Sequence, residues 1–386
     1  MTIRPLAVVV GFVARSPIAG MAMYNFHYVA GLKELGYDVH YIERVNAADE
    51  CYDPVFNAFA DDVSYGMRFL RHSMDSMEFI ATPWTLIDRA GRCHGSTRDE
   101  MCTALDRAEF VLTLADPTWF EDLERCPRRA FLDGDPLFTQ VRMLVPDSPT
   151  AIALANYPTL FTYWTRQNSP DTTVPAAGRA WISTTPVVAT ALWEAAAPRP
   201  NVPVTTIMNW SGFNDVTFGG RTYGKKDVEF ERMIDLPSLT SHTFAIGVGG
   251  DTAPRERLRA HGWMLENPLI ATGTISAYRE FIANSYADFG IAKHAYVASR
   301  SGWFSDRSLC YLASGRPVLH QDTGFTDWLP TGEGVVAFST VEEAAAGLRC
   351  LDDDYPRHVK AARGIAETHF EARKVIGQML DDAGLR

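Results

Sequence analysis

The sequence has no apolar run of the roughly 18 residues that a membrane-spanning helix needs, so no transmembrane segment is predicted. Cysteine is scarce. Six occur in 386 residues, at Cys51, Cys93, Cys102, Cys126, Cys310 and Cys350, and no two have the close spacing of a zinc site. Thiols scattered through a large chain argue against a disulfide framework and fit a reducing compartment. The N-terminus runs directly into a strand-like segment and lacks the layout of a secretion signal. These readings together predict a cytoplasmic protein. Positive charge is in deficit, 36 Lys and Arg against 47 Asp and Glu, for a net −11. An acidic chain repels phosphate backbones, so no nucleic-acid partner is expected. A local basic patch for one diphosphate stays compatible with that total. Short repeats and low-complexity tracts are missing as well.

What is present is ordinary globular material. Hydrophobic residues make up 46% and charged residues 22%, enough for a substantial core. At roughly 100–200 residues per domain, the length suggests two domains. Leu6 to Phe12 is a continuous apolar run, as in a parallel strand buried on both faces. Apolar residues at Phe26, Val29, Leu32 and Leu35 then have helical spacing, Gly36 marks a turn, and Asp38 to Ile42 reads as a second strand. That is one βαβ unit with a right-handed crossover. Further strands are predicted to end near Asp116 and Asp133, and another falls at YPTLFTYW. A proline-rich break, WEAAAPRPNVPV, precedes a second series. That series comprises strands at Val204 to Asn209, HTFAIGVGG, KHAYVASRSG, RPVLHQD and VVAFST, with a helix over SDRSLCYLASG and helix over the last thirty residues. The predicted division is 1–200, 201–370 and a terminal helix over 371–386 that packs back towards the first unit. The fold class is α/β, with two doubly wound sheets whose crevices face each other.

The segment SGWFSDRSLCYLASGRPVLHQDTGF resembles the C-terminal core of bacterial GT-B fold glycosyltransferases of the "glycosyl transferases group 1" type. MYNFHYVAGLKELGYDVHYIE is similar to the first βαβ of that family, and YGKKD and SYADFGIAKHAYV match it further. The resemblance implies Rossmann-like domains facing across a cleft, the first for an acceptor and the second for a nucleotide sugar. Many retaining members carry two acidic residues about eight positions apart near this helix. Here those positions fall at Cys310 and near Gly302, so ribose recognition must differ and the stereochemistry does not carry over.

A departing nucleotide diphosphate concentrates negative charge. Without a metal, that charge needs a helix N-terminus, backbone N–H groups and cations. Gly302, Trp303, Ser305, Asp306, Arg307 and Ser308 lie in a loop that opens a helix. Ser305 is the expected cap, Arg307 the expected phosphate ligand, and Gly302 the point of close backbone approach. Lys226 is favoured over Lys225 as the family's phosphate lysine; Lys293 is a weaker candidate. Gln321, Asp322, Thr323 and Gly324 form a turn expected to face the donor sugar, with helix capping as the plainer role. Trp263 is balanced between stacking on a base and core packing. The general base is sought among Asp116, Asp133 and Asp135 at strand ends of the first domain, against turn capping; His27 is a weak alternative. No metal ligand set is expected, DGD being the sole weak candidate, and no cofactor, since the nucleotide sugar is a substrate.

The function this implies is metal-independent transfer of a hexosyl or related group to a small-molecule or envelope acceptor. Alanine- and arginine-rich composition suggests a bacterial source. The alternatives are a non-catalytic partner of the same fold and a sugar-nucleotide epimerase.

Overall fold

The computed structural model describes residues 4–386 apart from 78, 80, 198, 211 and 213. Two mixed α/β layers hold the chain. The first is an eight-stranded sheet with the spatial order Ile182–Ser183, Thr159–Thr162, Arg129–Asp133, Ala108–Leu114, Leu6–Val10, Asp38–Arg44, Trp84–Ile87 and Cys93–Gly95. All neighbours run parallel except the last pair, which is antiparallel. The second sheet has six parallel strands in the order Trp263–Glu266, Phe244–Gly249, Val204–Asn209, Asp288–Gly290, Val318–Gln321 and Val335–Phe338.

The sequence explains these elements. Val8, Val9 and Val10 are buried on both faces of their strand, which is why that stretch reads as unbroken rather than alternating. Helix Ala19–Glu34 follows and packs against the terminal helix Ala372–Asp382. Gly31 permits the contact: a β-carbon there would lie 2.6 Å from Ile376 Cδ1 and 2.9 Å from Ala372 Cβ. The terminal helix thus returns to the first half of the chain. The largest apolar cluster accordingly includes Val9, Phe26, Leu312 and Ile376 from both halves.

Chain order reverses direction at one place in each sheet, between Leu6–Val10 and Ala108–Leu114 and between Val204–Asn209 and Asp288–Gly290. Ligands of doubly wound sheets bind outside the carboxyl ends of strands at such points.

One expected strand is a helix. The residues KHAYVAS form a short helix over His294–Ser299, ended by Arg300 in the left-handed region at φ 48°. A six-residue apolar run does not separate a buried strand from a buried helical turn. The continuous helix expected over the last thirty residues is two, Tyr355–His369 and Ala372–Asp382, parted at Phe370 and Glu371. Among the described residues, no helix is long and apolar enough to cross a membrane.

Candidate active site

Arg307 stands at the reversal point of the second sheet. Its Nη1 donates to the Ile207 carbonyl at 2.5 Å, and its Nη2 reaches the Phe289 carbonyl at 3.4 Å. Asp288, fully buried, anchors it. Asp288 Oδ1 lies 3.0 Å from Nη2 without hydrogen-bond alignment, while Oδ2 accepts from the guanidinium at 3.3 Å and from Ser308 Oγ at 2.6 Å. Ser308 is therefore a positioning residue for Asp288. The Arg307 Nε is buried with no partner among the described residues.

Arg307 belongs to helix Asp306–Ala313, whose first residue is Asp306. The expected Ser305 cap does not form: Ser305 makes no side-chain bond to the helix. The N–H groups of the first turn are thus without that side-chain partner. Lys226 opens the short helix Lys226–Glu231. Its side chain makes no hydrogen bond or ion pair with any described residue. Burial, and then the positive charges of Arg307 and Lys293, bring its amine down to about 7. The Asp306 carboxyl has the opposite bias. Burial pushes it up, and Lys226 and Arg307 pull it back. The two groups share one electrostatic environment. An unpaired lysine, an anchored arginine and a helix N-terminus converge there, an arrangement that suits an anion.

The three N-terminal aspartates are already engaged. Asp133, fully buried, accepts from Thr139 Oγ1 at 2.6 Å, Gln140 Nε2 at 2.7 Å, Thr162 Oγ1 at 2.8 Å and the Asp135 N–H at 3.0 Å. It ties the DGDP turn to its sheet, which leaves it no room to act as a base on a substrate. Asp133→Ala would orphan those donors. We expect a loss of about 3 kcal/mol, read as a lower midpoint in urea unfolding; an unchanged midpoint would refute this role. Asp135 receives Lys293 Nζ and the Tyr296 hydroxyl, both from the second half. Burial raises its carboxyl, but those two partners outweigh burial and hold it below the ordinary range. Asp116 pairs with the buried Arg15 at 2.5 Å, and Arg15 also meets Glu50 at 2.8 Å. Asp116 remains 45% exposed, so of the three it alone still faces solvent substantially.

The loop expected at the diphosphate and the turn expected at the donor sugar make contacts within the protein, several of them to the first half of the chain. Gly302, at φ 78°, does allow close approach, but of Thr165 and Arg166, into which a β-carbon would collide. Thr165 Oγ1 and Trp328 Nε1 both donate to the Gly302 carbonyl, at 2.9 and 3.0 Å. Trp303 donates to the Gly134 carbonyl at 3.1 Å and packs on Tyr296 with ring centres 4.5 Å apart. Thr323 Oγ1 donates to the Trp303 carbonyl at 2.5 Å. Gln321 donates to the buried Glu229 at 2.6 Å. Asp322 caps its own turn through the Gly324 N–H at 2.8 Å. Gly324, at φ 92°, lies under Arg166, whose Cδ would be 2.6 Å from a β-carbon.

Arg166 was not foreseen. It donates to Asp327 at 2.6 Å and to the Arg300 carbonyl at 3.1 Å, and it pairs with Asp171 at 2.7 Å. Its position just past the carboxyl end of strand Thr159–Thr162 was the available signal. Tyr296 was likewise missed, because its segment reads as a strand. His27 accepts from Trp193 at 3.0 Å and contacts the Val187 carbonyl at 3.1 Å; burial holds its imidazole at about 3, neutral at any working pH. Trp263 donates to the Ile234 carbonyl inside the core, which settles it as a packing residue. Lys225 lies 3.9 Å from Asp215.

Solved structures share this architecture over nearly the whole chain. An alpha-glucosyltransferase complexed with UDP and a 13-mer DNA containing an HMU base superposes with TM-score 0.60 at 9% identity, over 99% of this chain and 100% of that one. HepE of Anabaena, complexed with UDP-glucose, gives 0.58 at 11% identity, over 98% and 99%. Sucrose-phosphate synthase of Thermosynechococcus elongatus gives 0.51 at 10%, over 98% and 99%. The fold is GT-B. No family model matches the sequence, and no curated protein does. One expectation is corrected by these GT-B neighbours. The net charge predicts no nucleic-acid partner, yet three of the neighbouring structures were solved with DNA bound. Net charge describes the far field and leaves the local surface of a cleft undetermined.

Proposed function

We propose that the protein is a glycosyltransferase that takes its sugar, hexosyl or related, from a uridine diphosphate donor. The observation that supports this most directly is Lys226, an amine without a partner among the described residues, beside Arg307 and the start of helix Asp306–Ala313. A diphosphate would supply the missing anion. The uracil preference rests on the UDP and UDP-glucose found in the neighbouring GT-B structures. Two cations at the leaving group do the charge stabilisation that other transferases assign to a divalent ion, so the reaction is read as metal-independent. The acceptor is a small molecule or an envelope component of a bacterial cell, and the protein works in the cytoplasm.

A thermal-shift screen against UDP, GDP, ADP and dTDP, each with magnesium and with EDTA, tests this reading. UDP at 100 times its dissociation constant should stabilise by about 2.7 kcal/mol, equally in both buffers. A shift that needs magnesium would remove the metal-independent part. No shift with any nucleotide would favour a non-catalytic protein of this fold. Duplex DNA belongs among the acceptors then assayed.

A further inference from the structure

Both halves of the chain contribute walls to a small groove of about 130 Å³. Pro17 and Ile18 come from the loop between strand Leu6–Val10 and helix Ala19–Glu34. Pro54 and Val55 lie in the turn of a hairpin that joins Cys51–Asp53 to Ala58–Ala60, and Tyr65 lies on helix Ser64–Ser76. The opposite wall is Leu269, on helix Pro268–Thr272 of the second half, which follows strand Trp263–Glu266. The Pro17 loop and the Leu269 helix both leave the carboxyl ends of strands, where doubly wound sheets bind their ligands. The hairpin bridges the halves. Glu50 at its root pairs with Arg15 at 2.8 Å, the Tyr52 N–H donates to the Arg15 carbonyl at 2.9 Å, and Asn57 Nδ2 donates to Asp251 Oδ1 at 3.1 Å.

The groove is joined to the anion site by packed residues. A β-carbon on Gly20, two residues past Ile18, would lie 3.8 Å from the Tyr278 hydroxyl. Tyr278 sits on helix Ile275–Ala283, which packs on helix Asp306–Ala313, and its hydroxyl meets the Cys310 side chain. Cys310 is one turn from Asp306, and its thiol donates to the Asp306 carbonyl at 3.7 Å.

The lining selects an apolar occupant. Among the described residues no charged side chain lines the groove, and Tyr65 is its one polar side chain. An apolar cavity of about 150 Å³ takes one benzene ring, so this groove has room for a ring and too little for a lipid chain. Residues 45–67 around the hairpin include Asp49, Glu50, Asp53, Asp61 and Asp62 and no Lys or Arg. That charge repels an anionic membrane surface.

We propose that the groove holds an aryl group of a soluble acceptor, whose hydroxyl reaches the donor from there, a role that rests on the transferase reading. The acceptor oxygen bonds to the anomeric carbon of the sugar. The bond from that carbon to the β-phosphate oxygen breaks, its electron pair leaves on the diphosphate, and the hydroxyl proton passes to water.

The probes are UDP-glucose as donor with methanol or benzyl alcohol as acceptor, and both UDP release and glucoside formation are measured. The wild type should favour benzyl alcohol by roughly 100-fold or more in kcat/KM, from the six added carbons. Val55 is 69% exposed, so Val55→Asp should fold. It sets a charge against the ring and should cut the preference by about tenfold or more, while UDP affinity, measured by calorimetry, stays within about threefold. Val55→Leu should keep the preference. Leu269→Ser, on the opposite wall, should lower it as Val55→Asp does, and it decides if Val55→Asp does not fold. A wild type that transfers to both alcohols alike overturns the proposal and leaves the transferase reading standing. So does an unchanged preference in both groove variants. Phe56 and Phe59, 79% and 61% exposed on the same hairpin, make a lipid surface the rival occupant. Sedimentation of the wild type with phosphatidylcholine vesicles, lost in Val55→Asp, would assign the hairpin to lipid and overturn the proposal. A wild type that neither binds UDP nor releases it from UDP-glucose would sink the transferase reading and this one together.

Discussion

Arg307→Ala should lose about 3–5 kcal/mol of stability and at least roughly tenfold in UDP affinity. Both losses have a structural source, and they separate. The guanidinium is only 11% exposed and is the sole cation beside the fully buried Asp288 among the described pairs. Removing it leaves Asp288 charged, buried and held by little besides the Ser308 hydroxyl at 2.6 Å. Breaking one side of a buried pair is far worse than replacing both. The double variant Arg307→Met, Asp288→Asn should therefore recover most of the stability in urea unfolding. It should recover none of the UDP affinity, because the charge facing the diphosphate is still gone. A double variant that is stable and binds UDP like wild type would show that Arg307 only props up the sheet.

The fold was largely legible, and for definable reasons. A parallel strand buried on both faces must be apolar throughout, which made Leu6–Val10 plain. Glycine stops such as Gly315, at φ 70°, marked where helix Asp306–Ala313 ends and strand Val318–Gln321 begins. The site was legible only in part, because side-chain pairing is set across the fold. Asp135 looked like an exposed turn aspartate, but its partners Lys293 and Tyr296 lie far along the sequence in a segment misread as a strand. Asp133 looked equally exposed and is instead the hub of its turn. Gly302 was correctly seen as a point of close approach, yet what approaches is the chain's own Thr165 and Arg166. No periodicity reports such contacts. Net charge failed for a related reason: a sum over 386 residues says nothing about which of them line one cleft. What the sequence could supply was the residue type needed by the chemistry. Lys226 and Arg307 were nominated that way, and in the structure their charges act on each other and on Asp306 at the start of one helix.

Lys226 should give two pH dependences of opposite direction. Its amine sits near 7 in the folded protein against an ordinary 10.5, first through burial and then through Arg307 and Lys293. The unfolded chain therefore holds the extra proton between those two values. The stability penalty of charging Lys226 is complete below about pH 7 and fades as pH rises towards 10.5. Lys226→Met removes it, so that variant should melt a few degrees above wild type at pH 6.5, with the advantage shrinking by pH 9. UDP affinity should run the other way. The phosphate of UDP is fully ionised well above its own pKa of about 6, so between pH 7.5 and 9 the lysine alone is titrating there. In that window wild-type affinity should fall with rising pH by up to about tenfold per unit, and Lys226→Met should be weak and flat. A wild-type affinity independent of pH, or a Lys226→Met variant that binds UDP normally, would take the diphosphate away from Lys226. The stability trend should survive that failure, because burial and the neighbouring charges of Arg307 and Lys293 act on the amine whether or not a diphosphate binds there. A lysine that destabilises the empty protein and tightens the liganded one is the pattern expected of a binding residue kept despite its energetic penalty.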